Sequence, residues 1–333
     1  MGGWGCSIRD RCQETCPPQI VSTYRIFLDA YRTGVSPPLS PASCLWGLSL
    51  TILDAILLGI VQGLTEFLPI SSTAHLTLLG KVLGLVRPED FATWTSFIAV
   101  IQLGTLGAVV IYFSKDILQM PVSLFSDIQQ HTFSFRRGTM SARGWLSLLV
   151  TTGTIPIGVT GLLFSDEIHG FLTKNLVVIG MSLIVLALLL WLAEKLAEHT
   201  REAESLTLGE AFLIGIGQAL ALIPGSSRSG TTLTAGLFLG LSRQSAARFS
   251  FLLSVPAVLA SGVHEMTSLE GNPLEFGLAN ILIATAVAGV SGYAAIAWLL
   301  RYLMKKTTLV FVWYRIVLGI LLLSLVLLGI MEP

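Results

Sequence analysis

Six uninterrupted apolar runs dominate the pattern of hydrophobic and polar positions along the chain. They lie at roughly 91–113, 145–165, 175–193, 249–266, 278–299 and 309–331. At a rise of about 1.5 Å per residue, some 20 helical residues cross the hydrocarbon of a bilayer. The pattern therefore predicts an all-α protein with six membrane-spanning helices.

Two further apolar segments, at roughly 46–86 and 208–247, are broken near the middle by proline and small polar residues. The breaks read EFLPISSTAH (Glu66 to His75) and LIPGSSRSGTT (Leu222 to Thr232). Backbone outside a helix is tolerated at membrane depth only where protein or water surrounds it. We predict two re-entrant helical hairpins whose tips face the protein interior.

The two broken segments indicate a tandem duplication. Aligning Pro69 with Pro224, an offset of 155 residues, puts Ser72 over Ser227. The two halves span about 46–193 and about 208–331. Each half is a hairpin followed by three spans, and an odd number of crossings inverts the second half. The predicted fold is a polytopic membrane protein built as an inverted-topology repeat.

Basic residues in the connecting segments orient the chain. Segments 114–144, 194–207 and 300–308 each hold two or more Lys or Arg, whereas 166–174 holds one and 264–277 holds none. Cytoplasmic loops carry the excess of Lys and Arg. We expect the first hairpin to enter from the outer face and the second from the cytoplasm, so that their tips can meet.

Composition supports a membrane location. Hydrophobic residues make up 53% of the chain and charged residues 12%, the net charge is zero, and the mean hydropathy is +0.77. Ordinary soluble domains are roughly one quarter charged. No basic surface suggests nucleic acid, so we expect a lipid-like or small partner. The sequence leaves the oligomeric state open, with a homodimer as one option.

The first 45 residues differ from the rest. They hold all four cysteines, at positions 6, 12, 16 and 44, in spacings that fit neither a CxxC pair nor a zinc site. We expect free thiols or one adventitious disulfide. Residues 1–45 are predicted to be a poorly ordered extension, and residues 46–333 to be the membrane domain.

The first tip offers a base, a metal ligand and a nucleophile. Gln62 and Glu66 are four residues apart and share one helix face. Mg²⁺ and Ca²⁺ prefer oxygen ligands completed by substrate phosphates, so Glu66 with Gln62 could hold either ion. After Pro69 come the hydroxyls of Ser71, Ser72 and Thr73, together with His75. Ser72 and His75 are helical neighbours, although serines at a helix start are commonly only caps.

The second tip has the composition of an anion site. Glycines allow close backbone approach, hydroxyls donate hydrogen bonds, and a guanidinium forks onto phosphate. The candidates are Gly225, Ser226, Ser227, Arg228, Ser229, Gly230 and Thr232. An ion pair between Arg228 and Glu66 that holds the repeats together is an alternative or additional role.

Four polar residues interrupt other apolar segments: Gln102, Gln218, Tyr314 and Arg315. They could line a cavity between the helices. Hydrogen bonding between helices is the alternative.

The stretches QGLTEFLPISSTAH and PGSSRSGTT resemble the two signature motifs of the undecaprenyl-diphosphate phosphatase family, also called the bacitracin-resistance protein family. The resemblance covers the chain from about Leu50 onward. It implies hydrolysis of a C55 isoprenoid diphosphate to the monophosphate, which recycles the lipid carrier of peptidoglycan synthesis. It also implies a multi-pass location in the bacterial inner membrane, and we expect the site to open to the periplasmic face.

The resemblance assigns roles to residues of both motifs. Glu66 is similar to the second acid of the family's (E/Q)xxxE element, Ser72 to the proposed nucleophile and His75 to a nearby catalytic group. Arg228, with its neighbouring hydroxyls, matches the diphosphate-binding element. Gln62 stands where many members have Glu. A transporter or flippase of a phosphorylated polyprenyl lipid is the alternative, because broken helices in inverted repeats are typical of carriers.

Overall fold

The computed structural model describes residues 50–86, 91–131, 138–164, 175–267 and 273–331, so the predictions for the N-terminal extension and its cysteines lie outside the described residues. Its helices are α1 (Ile52–Phe67), α2 (Ser72–Val82), α3 (Phe91–Tyr112), α4 (Ser114–His131), α5 (Ala142–Leu163), α6 (Leu176–Leu196), α7 (Leu208–Ala219), α8 (Arg228–Phe238), α9 (Arg243–Thr267), α10 (Leu278–Leu303) and α11 (Leu309–Leu327). No β-strand occurs within these residues. The all-α prediction is confirmed.

Six of the described helices are long and apolar enough to cross a membrane: α3, α5, α6, α9, α10 and α11. The prediction of six spans is therefore confirmed. Helix α9 begins at Arg243 rather than near 249, and its first turns, which precede the apolar run, carry arginines with carboxylate partners. Arg243 pairs with Glu194, and Arg248 pairs with Asp116 and Glu204.

Helix α4 occupies a segment that the sequence analysis treated only as a charged loop. It packs along α5, and Asp127 on its buried side accepts hydrogen bonds from the backbone and hydroxyl of Ser141. Leu118 and Phe125 remain exposed. A search for continuous apolar runs misses such a helix, because only part of its surface is apolar.

The two hairpins begin and break in the same way. Thr51 with Asp54 and Thr207 with Glu210 form capping boxes at the starts of α1 and α7. Each hairpin then becomes extended at the residue before its proline, Leu68 in one case and Ile223 in the other. Proline disfavours the helical conformation of the residue that precedes it, which explains the position of both breaks.

Each hairpin packs against a span of the other repeat, α1 on α10 and α7 on α5. Glycines allow this close approach. A Cβ at Gly59 would lie 2.5 Å from the Ala284 carbonyl oxygen, and one at Gly215 would collide with the Gly153 carbonyl. Because small residues let helix backbones come together in membranes, this exchange is expected to lock the two repeats into one core.

Contacts at the helix ends show that the hairpins start at opposite ends of the protein. The Leu50 carbonyl accepts from Asn280 near the start of α10, and the Leu206 carbonyl accepts from Trp145 at the start of α5. Three spans, α5, α6 and α9, separate these two helix starts along the chain. Because the number of spans is odd, the two starts lie at opposite ends of the protein. The pair between Arg243 and Glu194 shows that the second hairpin returns to the end where α6 finishes.

Candidate active site

The tips of the two hairpins meet at Glu66, which is buried and 7% exposed. Its Oε2 accepts hydrogen bonds from Gln62 Nε2 at 3.1 Å and from Ser72 Oγ at 2.8 Å. Its Oε1 forms an ion pair with Arg228 Nη2. One carboxylate therefore contacts a hydroxyl from its own hairpin and a guanidinium from the other repeat.

One serine at each tip has a positive φ, which is unusual for a residue other than glycine. Ser71 and Ser227, the N-cap residues of α2 and α8, have φ of 76° and 65°. Each side chain accepts from the backbone N–H three residues later, at Ala74 and Gly230. A non-glycine residue in such a sparsely populated region costs on the order of 1–3 kcal/mol, and such strain clusters at functional sites.

This geometry corrects the sequence alignment at the tips by one residue. The structure makes Ser71 equivalent to Ser227, at an offset of 156 rather than 155 residues. Ser72 and Arg228 are then equivalent, each being the first residue of its half-helix. The second tip has one extra residue between its proline and its N-cap serine, so an alignment based on the two prolines misplaces the serines by one residue.

A cavity of about 450 Å³ adjoins Glu66, Ser72 and Arg228. Its polar wall also includes Thr73, Gly225, Ser226 and Ser227. Its apolar wall comes from α3, α5 and α9, for example Ile98, Ala99, Ile157, Gly161, Ala257 and Val258. A polar head group and an apolar chain could therefore occupy adjacent parts of one space.

Ser226 and Gly225 of the second tip have different surroundings, the first without a hydrogen-bond partner and the second packed against α6. Ser226 Oγ is buried and has no hydrogen-bond partner in the structure, so it can donate to a bound anion. Gly225 has φ +82°, and a Cβ there would lie 2.7 Å from the Ile179 carbonyl oxygen. The glycine thus allows the tip to pack on α6, where Ser182 donates to the Pro224 carbonyl.

Several predicted site residues are not among those that line the cavity. Ser229 donates to the Leu68 carbonyl at 3.2 Å and so joins the two tips. Thr232 is buried and donates to the Arg228 carbonyl at 2.7 Å. Gly230 and Ser71 belong to the two N-caps described above. These four residues shape the backbone around the cavity.

The hydrogen bonds of His75 go neither to Ser72 nor to Glu66. Its Nδ1 lies 2.6 Å from the Ser71 carbonyl oxygen, and its Nε2 lies 2.6 Å from the Tyr314 hydroxyl on α11. The two rings stack with centroids 5.6 Å apart. This arrangement does not bring the imidazole to the hydroxyl that the sequence spacing made its neighbour.

The predicted cation ligands, Glu66 and Gln62, lie side by side in the structure. Among the described residues, no group of three or more His, Cys, Asp and Glu could hold a metal ion. Glu66 supplies one carboxylate, and Gln62 supplies an Oε1 that is buried without a hydrogen-bond partner. Magnesium is commonly held by one or two carboxylates together with substrate phosphates. The donor set fits such a site only in part, because Glu66 lines the cavity whereas Gln62 does not and adjoins it through its hydrogen bond to Glu66.

Sequence reasoning missed most of the apolar wall and the partner of His75. Residues on α3, α5 and α9 are hidden inside uniformly apolar spans. Gln102 lines the cavity, as its polar side chain in an apolar run suggested. Tyr314 and Arg315 are also polar residues in an apolar run, but they form hydrogen bonds to the two hairpins instead of lining the cavity. Tyr314 contacts His75, and Arg315 Nη2 donates to the Ser226 carbonyl at 2.9 Å.

Comparison with known proteins gives a consistent picture. The family model described as "Bacitracin resistance protein BacA" matches residues 55–321. An undecaprenyl-diphosphatase of Syntrophobacter fumaroxidans is 48% identical over 275 residues, covering 81% of this chain and 95% of that protein. One of Myxococcus xanthus is 48% identical over 285 residues (85% and 92%), and one of Chloroherpeton thalassium is 47% identical over 291 residues (84% and 99%). The chain therefore belongs to the bacitracin resistance protein family.

Proposed function

We propose that the protein hydrolyses undecaprenyl diphosphate to undecaprenyl phosphate and inorganic phosphate, and so recycles the lipid carrier of peptidoglycan synthesis and confers bacitracin resistance. The relatives named above are undecaprenyl-diphosphatases, and the alignments cover 92% or more of each of them. The observation that carries the proposal is Glu66, held between Ser72 and Arg228 at the polar end of a cavity whose other walls are mostly apolar.

Ser72 is the proposed nucleophile and Glu66 its base. With Ser72 Oγ donating to Glu66 Oε2 at 2.8 Å, the carboxylate is placed to accept the proton as the oxygen attacks the terminal phosphorus. A bond forms between Ser72 Oγ and phosphorus, and the bond from that phosphorus to the bridging oxygen breaks, which releases undecaprenyl phosphate. Water then hydrolyses the phosphoserine. Direct attack by water, activated by the same carboxylate, is the competing route.

Arg228 and the tip backbone bind the diphosphate. The Arg228 side chain lines the cavity and keeps 19% exposure, so its guanidinium can contact phosphate while paired to Glu66. Ser226 Oγ and Ser227 add hydroxyls on the same wall. The amino-terminal ends of α2 and α8 both approach Glu66, and helix amino termini favour anions. Phosphoryl transfer depends mainly on such positioning and charge neutralisation.

A divalent cation, Mg²⁺ or Ca²⁺, is proposed as the cofactor, held by Glu66 and Gln62 Oε1 together with phosphate oxygens of the substrate. When bound, it would neutralise charge on the diphosphate. Gln62 also donates to Glu66 Oε2 and so orients the carboxylate toward Ser72.

The cavity supports entry from the periplasmic face of the inner membrane. Its residues on α5 and α9 lie in the halves of these spans next to 166–174 and 264–277, the two segments poor in Lys and Arg. The rim residues Gly158, Leu162 and Ser261 are exposed on the protein surface. We place the isoprenoid tail between α5 and α9, where these residues would let it reach the surrounding lipid.

Phosphate release from undecaprenyl diphosphate by purified protein in detergent tests the proposal, because no transport is possible there. The wild type is expected to release phosphate, and Ser72→Ala, Glu66→Gln and Arg228→Ala to lose nearly all of this activity. EDTA should reduce the rate and Mg²⁺ or Ca²⁺ restore it. A wild type that flips the lipid in vesicles but releases no phosphate in detergent would favour the flippase, which the inverted repeat also allows.

A further inference from the structure

Two consecutive residues of α11 contact the backbone of both tips. Tyr314 donates to His75, and His75 donates to the Ser71 carbonyl. Arg315 donates to the Ser226 carbonyl. The last spanning helix therefore touches each hairpin beside its strained serine, and none of these contacts belongs to the chemistry proposed above.

The chain of contacts through His75 fixes the imidazole tautomer. The Ser71 carbonyl can only accept, so His75 Nδ1 must carry the hydrogen. His75 Nε2 is then the acceptor for the Tyr314 hydroxyl. With both nitrogens engaged in this way, the imidazole holds the peptide that follows Ser71 and so fixes its ψ of 99°.

The contact from Arg315 fixes the other serine. The Ser226 carbonyl belongs to the peptide before Ser227, so the 2.9 Å bond from Arg315 Nη2 constrains the φ of Ser227. Arg315 is completely buried, and Gly230 provides space for it, since a Cβ there would lie 2.6 Å from Nη1. Its Nε and Nη1 have no hydrogen-bond partner in the structure.

We propose that Tyr314 and Arg315 are positioning residues for the phosphatase reaction. They hold the two strained serines in the conformations that bring the next residues, Ser72 and Arg228, onto the two oxygens of Glu66. The inference rests on the proposed function for its kinetic consequence. It assigns His75 to this support and not to proton transfer with Ser72.

Tyr314→Phe removes the hydroxyl and keeps the ring. We expect kcat to fall about 10-fold to 100-fold with little change in KM, because small displacements of reacting groups slow the chemical step more than they weaken binding. If Tyr314 acts through His75, adding Tyr314→Phe to His75→Ala should cause no further loss. Tyr293→Phe, which makes the same change on α10 where the ring packs on Tyr112, should leave kcat unchanged.

Arg315→Met separates positioning from folding. A buried arginine with unpartnered donors adds little to stability, and apolar replacement of buried charges is often neutral or stabilising. The thermal midpoint should therefore stay the same or rise while kcat falls at least about 10-fold. An unchanged kcat, or a raised KM at unchanged kcat, would overturn the proposal for this residue, and additive losses for Tyr314 and His75 would overturn the path through the imidazole.

A labelling experiment keeps the test independent of turnover. In a chain without its four native cysteines, Ser72→Cys should react faster with a small maleimide once Tyr314→Phe is added, because the tip is no longer held. Equal labelling rates would contradict the positioning role even if the wild type proved to have no phosphatase activity. The labelling rates can therefore contradict the positioning role independently of whether the protein proves to be a phosphatase.

Discussion

The first and second hairpins begin with the same type of capping box, break before a proline and resume at a serine with positive φ. They differ in the side chains that this shared framework carries. The first presents Ser72 where the second presents Arg228, and Glu66 has its counterpart at Leu222, 156 residues later. The two hairpins thus share one backbone geometry, and the proposed function gives them different chemical roles, base and nucleophile in the first and anion binding in the second.

The largest expected effect comes from removing the negative charge of Glu66, since its counterpart in the second hairpin, Leu222, is uncharged. Glu66→Gln removes the base and the partner of Arg228, so kcat should fall about 1,000-fold, within the usual range for general-base catalysis. Glu210→Gln changes the acid in the capping box of the second hairpin and should keep kcat near that of the wild type. Steady-state phosphate release measures both, and similar losses for the two variants would contradict the assigned difference.

Arg228→Lys tests the role of the second hairpin. Lysine keeps the charge but loses the planar fork, so kcat/KM should fall about 100-fold, mostly through a higher KM. Arg243→Lys makes the same change at the ion pair with Glu194, away from the cavity, and should leave both constants unchanged. If Arg243→Lys lost all activity and Arg228→Lys kept the kcat/KM of the wild type, the anion would bind at another place in the protein.

The shared framework is tested by stability. Gly59→Ala and Gly215→Ala should each lower the free energy of unfolding by about 1–3 kcal/mol, because both add a Cβ against a carbonyl of the opposite repeat. Gly209→Ala, where a Cβ would meet open space, is the control. Thermal unfolding in one detergent compares the three. A marked difference between Gly59 and Gly215 would mean that the two packing contacts are not equivalent.

The smallest effect concerns the tail. Gly161→Leu adds bulk to the apolar part of the cavity, at a position where a Cβ would meet no other atom within 4 Å. It should lower kcat/KM for a C55 diphosphate about 10-fold relative to a short-chain diphosphate, the loss expected from displacing one or two buried methylene groups. Gly107→Leu on α3 adds the same bulk away from the cavity. Equal losses for long and short substrates would place the tail somewhere else.

Much of the fold could be predicted because the bilayer sets the length of each span. The six spans and both breaks follow from apolar runs and prolines. The amphipathic helix α4 could not be found in the same way, since its burial against α5 depends on tertiary contacts such as Asp127 with Ser141. The one-residue difference between the tips was also hidden, because two serines precede Arg228 and either fits a gapless alignment.

The sequence allowed us to predict which residues belong to the site, but it left open which of them contact one another. Charges in apolar sequence pointed to Glu66 and Arg228, and the structure brings them together as an ion pair. Sequence spacing made Ser72 a neighbour of His75, yet Ser72 donates to Glu66 and the imidazole turns to Tyr314 on the last helix. Contacts between residues so far apart in sequence depend on packing that no local pattern contains.

Cross-linking between the tips tests the central claim most directly. Ser72→Cys and Arg228→Cys are combined in a chain without its native cysteines and treated in membranes with a short bifunctional thiol reagent. The two tips converge on Glu66 in this account, so mass spectrometry should find the two peptides joined within one chain, and no such product when Ser72→Cys is paired with Ser324→Cys. Failure of the first pair to cross-link, while each cysteine reacts singly with the reagent, would contradict a shared site.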